Sequence, residues 1–190
     1  MRIAGGEFRG RILKVPKSDL IRPTQDMVRE ALFNIIAFAV PGSSFLDLFA
    51  GSGAVGIEAL SRGACKAAFV ESNRRHLAVL EENLSAILGS RRSVASTVAA
   101  DVYRWIETYS GEGFSIVFAD PPYSTGEERG YCRFLETLAS RGVVRPGGIF
   151  AAEMKSAQQA DSVQGWTLLR DRTYGKTRLC IWKLEKEERT

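Results

Sequence analysis

Histidine and cysteine are scarce: one histidine, His76, and three cysteines, Cys65, Cys132 and Cys180, stand far apart among 190 residues with no CxxC pair. That scarcity argues against a zinc site or a disulfide framework, which need closely spaced ligands or paired cysteines. Long apolar runs are missing too. No stretch reaches the roughly 20 residues needed to cross a bilayer, and basic and glycine residues interrupt each apolar run near the start. Neither a membrane span nor a signal peptide is expected, so the expected location is the cytoplasm. Most of the chain also lacks an excess of either charge. Residues 1–22 hold Arg2, Arg9, Arg11, Lys14, Lys17 and Arg22 against Glu7 and Asp19, and so carry the whole net charge of +4. A neutral body with a basic leading segment predicts a polyanionic partner held by that segment.

What is present suffices for one full core, since 45% of the residues are hydrophobic and 25% charged. Two short extended runs around glycines predict a small β-hairpin over residues 2–15, making 1–22 a basic arm and 23–190 the main domain. Pro23 beside Thr24, a plausible N-cap, opens an amphipathic pattern through Met27, Val28, Ala31, Leu32, Ile35 and Ile36 that ends near Pro41-Gly42. From Phe45 the pattern alternates. Strands are expected at 45–48, 67–70, 94–99, 114–119 and 148–154, with helices at 54–62, 73–88, 102–109 and 128–140 between them. Such alternation means an α/β fold with a parallel sheet covered on both faces. Two further strands, 166–170 and 178–183, flank a polar turn at Tyr174-Gly175-Lys176 too short for anything but an antiparallel pair. A mostly parallel sheet ending in an antiparallel hairpin resembles the seven-stranded Rossmann-like methyltransferases.

After the strand ending at Asp47-Leu48 comes Phe49-Ala50-Gly51-Ser52-Gly53-Ala54-Val55-Gly56, a GxGxxG spacing that opens a helix. Glycines there let the chain turn sharply and its backbone approach a ligand. Glu71, 18 residues beyond Gly53, closes the next strand and can accept ribose hydroxyls. Together they mark a nucleoside cofactor site. Asp47 selects among nucleosides, because a carboxylate beside the turn repels a pyrophosphate but attracts the ammonium and sulfonium of S-adenosylmethionine (AdoMet). Asp101 is a candidate acceptor for the adenine amine, with Val102 against the ring; it is equally a helix N-cap.

Asp120-Pro121-Pro122-Tyr123 follows the apolar run Phe114–Ala119, at the sheet edge where ligands bind in open parallel sheets. Consecutive prolines fix two φ angles and present carbonyl acceptors without competing amide donors. This suits an aromatic amine, whose lone pair is delocalised into the ring until both hydrogens are drawn to acceptors favouring a pyramidal nitrogen. Asp120 and the Pro121 carbonyl are the expected acceptors, and Tyr123 the stacking surface for an unstacked base. No metal is needed.

The runs Arg2–Arg11, Arg22–Asn34, Phe45–Ala54, Glu58–Gly63 and Asp120–Tyr123 together resemble the bacterial 16S ribosomal RNA guanine-N2 methyltransferases of the small subunit, from residue 2 to about 184. The resemblance implies AdoMet held by the Gly51–Gly56 loop and Glu71, and a guanine amine held at Asp120–Tyr123. It implies 16S ribosomal RNA, naked or in the small subunit, bound by a monomer through Arg2, Arg9, Arg11, Lys14 and Arg22. It also places the Arg22–Asn34 helix near the cofactor, giving Thr24 a role in binding AdoMet and Arg29 a role in binding RNA. Tyr123 departs from the phenylalanine common in relatives, which preserves stacking. The rivals are an N6-adenine or N4-cytosine DNA methyltransferase, a non-catalytic RNA-binding protein and a nicotinamide-dependent dehydrogenase. Only 66 residues separate Gly53 from Asp120, leaving no room there for a DNA target-recognition domain. The intact glycine loop with Asp120 disfavours the second rival, and Asp47 with the antiparallel ending the third.

Overall fold

The computed structural model describes residues 1–16, 23–121, 131–160 and 162–186, with the side chains of 26 onward in the second span. Helix α1 (Pro23–Ile35) precedes β1 (Ser44–Leu48), α2 (Ala54–Ser61), β2 (Lys66–Glu71), α3 (Arg74–Leu88), β3 (Ala95–Ala99), α4 (Val102–Thr108), β4 (Phe114–Ala119), α5 (Tyr131–Ser140) and β5 (Val144–Lys155). The chain closes with β6 (Trp166–Tyr174) and β7 (Thr177–Leu184). The seven strands lie in the order β3-β2-β1-β4-β5-β7-β6. β1 to β5 are mutually parallel where they pair, and β7 runs antiparallel to both neighbours. β1 and β4 are buried along their whole length, as strands covered on both faces must be.

Alternation along the strands divides the core in two. Phe45, Phe69, Ile116, Phe118 and Ala151 face α1, α2 and α3, where Val28, Leu32, Phe33, Ile57, Leu80 and Leu84 pack. Leu46, Val70, Val117, Phe150 and Trp182 face α4 and α5, against Val102, Ile106, Phe134, Leu135 and Leu138. No helix among the described residues is long and apolar enough to cross a membrane.

Three segments differ from expectation. α1 stops at Ile35 instead of continuing to Pro41-Gly42, because residues 36–42 form turns that carry the chain back to β1, with Gly42 in the left-handed region (φ 72°). β5 begins at Val144: the Pro146-Gly147-Gly148 interruption is absorbed by a register shift opposite Phe114–Ile116, so the strand bends without ending. The expected N-terminal hairpin reduces to one antiparallel bridge, Arg2 to Ile12.

The reason for the last difference lies in α2. Ile3 still exchanges backbone bonds with Arg11 and Gly10, but the tip bonds outward: Glu7 N donates to the Ser61 carbonyl at 2.8 Å, Phe8 N to Ser61 Oγ at 2.8 Å, and Ser61 Oγ to the Gly5 carbonyl at 2.6 Å. Gly6 (φ 78°) lies so close that a Cβ would stand 1.9 Å from the Ser61 oxygen. Ile3, Phe8 and Leu13 insert into the core beneath α1, α2 and α3.

Candidate active site

The carboxyl ends of β1, β2, β4 and β5 bring four acidic residues together on one face. Leu48 is level with Val70 and Ala119, and Ala119 with Ala152. The next level therefore holds Glu71, Phe49, Asp120 and Glu153, with Asp47 two residues below Phe49. Side chains alternate in strands, so Asp47, Glu71 and Glu153 point to the α1–α3 side, like Phe45, Phe69 and Ala151.

The glycine loop is built on two of these carboxylates. Phe49 (φ 61°), Gly51 (φ 55°) and Gly53 (φ 79°) all take left-handed backbone conformations, which fold the chain back at the strand end. Gly53 and Gly56 cannot carry a side chain, since a Cβ would stand 2.2 Å from Leu80 Cδ1 and 2.3 Å from Phe69 Cε1. At Gly51 a Cβ would meet nothing within 4 Å, which leaves that stretch of backbone open to a ligand. Glu71 accepts from Gly51 N at 2.8 Å and from Asn73 N at 2.7 Å, one bond per oxygen. Each oxygen keeps a second lone pair for a diol. Asp47 Oδ2 accepts from Gly56 N at 2.8 Å, supplying from β1 the cap that Gly53 cannot give to α2.

Burial, then the charges of Asp120 and Glu71, push Asp47 up to about 8, against the opposing hydrogen bond from Gly56. The unliganded site thus holds more negative charge than it can ionise at neutral pH, and a cationic ligand fits it. A folded-state value above the unfolded 3.8 stabilises the protein at low pH, and that stability is lost as pH rises from about 4 to 8. Asp47→Asn keeps the acceptor for Gly56 and has no charge to suppress. Its Tm in the unliganded protein is expected to exceed the wild type's by a margin that widens from pH 5 to pH 8.5. Parallel Tm-against-pH curves would refute this.

The remaining expected site residues fall into four groups. Ser52, buried behind the loop, presents its carbonyl to Asn83 Nδ2 at 2.9 Å. Asp101 caps α4, its Oδ1 accepting from Arg104 N at 3.0 Å, while Val102 is buried behind it. Asp120 is half-buried and Pro121 buried at the end of β4. Pro122, Tyr123, Arg22 and the Thr24 side chain lie outside the described residues.

The basic residues are redistributed. Arg29, expected to contact RNA, is only 4% exposed and is held within the protein. Its Nε lies 2.8 Å from Glu58 Oε2, its Nη2 donates to the Arg2 carbonyl at 2.8 Å and stands 3.0 Å from Asp26 Oδ1. Arg62 holds the other Glu58 oxygen at 2.7 Å. Arg11 donates to the Ala86 and Ile87 carbonyls at the end of α3, a favoured place for a cation. Lys14 pairs with Glu82, and Arg2 bonds to the Gly10 carbonyl. Arg9 is exposed.

Other residues went unremarked in the sequence. Asn83, buried in α3, bonds to both backbone groups of Lys14 as well as to Ser52, and so ties the N-terminal segment to the glycine loop. A polar residue in the apolar stripe of α3 was the available signal. Arg74, Arg75 and Arg104 are exposed in the first turns of α3 and α4, on the reactive edge of the sheet. Glu153, an acid closing the apolar run Ile149–Ala152, is taken up below.

Strand order, the reversed β7 and the loop on β1 define a Rossmann-like, AdoMet-dependent methyltransferase fold. An RNA methyltransferase from Salinibacter ruber solved with S-adenosyl-L-homocysteine shares it, with TM-score 0.64 over 89% of this chain and 96% of that one, at 12% identity, a likeness of fold alone. Within that class, the chain belongs to the family described as Conserved hypothetical protein 95, whose model matches residues 1–183. It is similar to Ribosomal RNA small subunit methyltransferase D of Escherichia coli, 34% identical over 98% of this chain and 91% of that protein. It is 31% identical to the protein of the same name from Haemophilus influenzae, over 92% and 89%. The solved structure of yhhF from Escherichia coli covers 98% of this chain and 99% of its own, at 33% identity and TM-score 0.86.

Proposed function

We propose that this protein transfers a methyl group from AdoMet to the exocyclic N2 amine of a guanine in 16S ribosomal RNA of the small subunit, acting in the cytoplasm. The observation that carries the chemistry is the placement of Asp120, at the end of β4, on the same level as Glu71 and beside the open glycine turn. The family and the full-length similarity to ribosomal RNA methyltransferases support the substrate.

AdoMet supplies an electrophilic methyl group on a cationic sulfur. Gly51, Ser52, Gly53 and Gly56 shape the turn against which it lies, Glu71 receives the ribose hydroxyls, and Asp47 contributes negative charge beneath. Apolar walls are assigned to Phe49 and Val102, the adenine amine to Asp101, and a further cofactor contact to Thr24. Asp120 and the Pro121 carbonyl draw the two amine hydrogens, and Tyr123, with Pro122 stiffening the loop, stacks on the base. Positioning and acceptors aimed at the charge developing on nitrogen account for the acceleration.

Residues 1–22 keep their assignment as the RNA-gripping segment, with Arg2, Arg9, Arg11, Lys14 and Arg22 as its cations. Several of those cations have intramolecular partners, so Arg74, Arg75 and Arg104, on the edge that carries the reaction, join Arg9 in meeting phosphates.

The test is incubation with tritiated AdoMet and unmethylated 16S RNA or small subunits, followed by nucleoside analysis. N2-methylguanosine is the expected product, and label in N6-methyladenosine would overturn the reading in favour of an adenine enzyme.

A further inference from the structure

Next to Asp120 stands a carboxyl group with no role in the account so far. β4 and β5 run parallel with Ala119 level with Ala152, so Glu153 lies beside Asp120 at about one strand spacing, near 4.8 Å between backbones. It points to the α1 side and is 7% exposed. Asp120 approaches it from β4 and Arg29 from α1, while β7 offers only Leu179 at the paired position. From α5, the Tyr131 hydroxyl donates to its backbone carbonyl at 3.0 Å, and the charges of Asp120 and Glu153 both act on that hydroxyl.

Among the described residues Arg29 is the cation whose charge acts on Glu153, and it is already committed to Glu58, Asp26 and the Arg2 carbonyl. Its charge is therefore shared among several acids. Burial first and Asp120 second hold the Glu153 carboxyl well above the usual range, with Arg29 opposing. Two carboxyls this close in a region of low dielectric cannot both ionise cheaply. The more deeply buried one keeps the proton.

We infer that Glu153 and Asp120 form a proton-sharing carboxyl pair in which Glu153 is the protonated, positioning member and Asp120 the charged acceptor for the reacting amine. The inference rests on the function proposed above. With Glu153 neutral, Asp120 remains an anion aimed at the substrate even though Asp47 and Glu71 crowd the same edge. As the amine nitrogen forms its bond to the methyl carbon, the carbon–sulfur bond breaks and its electron pair departs with the now neutral thioether; Asp120 then takes one of the nitrogen's hydrogens as a proton and that bonding pair stays on nitrogen. Both carboxyls are then neutral, and the surplus proton passes to solvent as the methylated base leaves.

The test compares Glu153→Gln and Glu153→Ala with the wild type in full-length protein, reading kcat from pH 6 to 9.5 and the Tm of unliganded protein over the same range. Gln, neutral at every pH and similar in shape, is expected to keep kcat within about three-fold at pH 7. Wild-type kcat is expected to decline at alkaline pH, where Glu153 loses its proton and becomes a second anion beside Asp120, and the Gln variant should lack that decline. Ala should lose at least thirty-fold in kcat, with KM for AdoMet within about three-fold. A folded-state value above the unfolded one means that Glu153 adds stability at low pH which is lost as pH rises, so the Tm curve of the Gln variant should be the flatter.

A Gln variant as inactive as Asp120→Ala would overturn the pair by showing that Glu153 must be charged. An Ala variant with wild-type kcat, or Gln and wild-type Tm curves that superimpose, would overturn it too. If no N2-methylguanosine forms with any variant or the wild type, the proposed function fails, and the Tm curves still decide the pair.

Discussion

Asp120→Ala is expected to lower the rate of methyl transfer by at least about a hundred-fold, in line with the loss of one well-placed polar partner of a charge that develops in the transition state. The loss should fall on kcat, and the dissociation constant for AdoMet should stay within a few-fold. The cofactor's contacts are assigned to the loop from Phe49 to Gly56, to Glu71 and to Asp101, none of which depends on Asp120 for position: Glu71 is fixed by Gly51 N and Asn73 N, and Asp101 by Arg104 N. Removing Asp120 also relieves Asp47 of a like charge, so cofactor binding loses little negative potential at neutral pH. Single-turnover kinetics with saturating RNA, set beside calorimetric titration of AdoMet, separate the two quantities. Undiminished turnover would remove Asp120 from the reaction.

The second large effect is one of stability. Glu58 is fully buried, and its two oxygens receive Arg29 and Arg62 while Ala4 N points at it from 3.4 Å. It therefore joins α1, α2 and the N-terminal segment at one point. Glu58→Ala takes from the Arg29 guanidinium, 4% exposed, its buried ion-pair partner and leaves it the half-exposed Asp26 and the Arg2 carbonyl. Stranding a buried charge in this way costs about 3–5 kcal/mol. For a domain of this size that corresponds to a fall in Tm of roughly 6–20 °C. Arg62→Ala should cost much less, because Arg62 is partly exposed and Glu58 keeps Arg29. Thermal unfolding of the two variants at pH 7 checks both statements. A Glu58→Ala variant melting within 2 °C of the wild type would mean that the junction is not what anchors α1. Asp120→Ala is the natural control, since it alters the reaction site and leaves the junction intact.

This junction also shows where the sequence stops being informative. The runs around Arg2–Arg11, Arg22–Asn34 and Glu58–Gly63 carry the family resemblance, and Arg11 and Arg29 read there as contacts for RNA. Both also bond within the protein, Arg29 to Glu58 and Arg11 to the carbonyls ending α3. Gly5 and Gly6 serve a close approach to α2, where a Cβ on either would collide with Arg62 or Ser61. A local pattern can show that residues are basic or small. It cannot show which acid, lying 29 residues away in the case of Glu58, will meet them.

The sequence by itself determined the alternation of strands and helices, the antiparallel ending, the glycine turn after β1 and the presence of Glu71 and Asp120 at strand ends, because each depends on neighbouring residues or on fixed periodicities. Tertiary structure alone decided what stands beside what. The level shared by Glu71, Asp120 and Glu153 follows from pairing between strands far apart in the chain. The shifted protonation of Asp47 and Glu153 follows from burial and from the charge of Asp120 nearby, which no single segment contains.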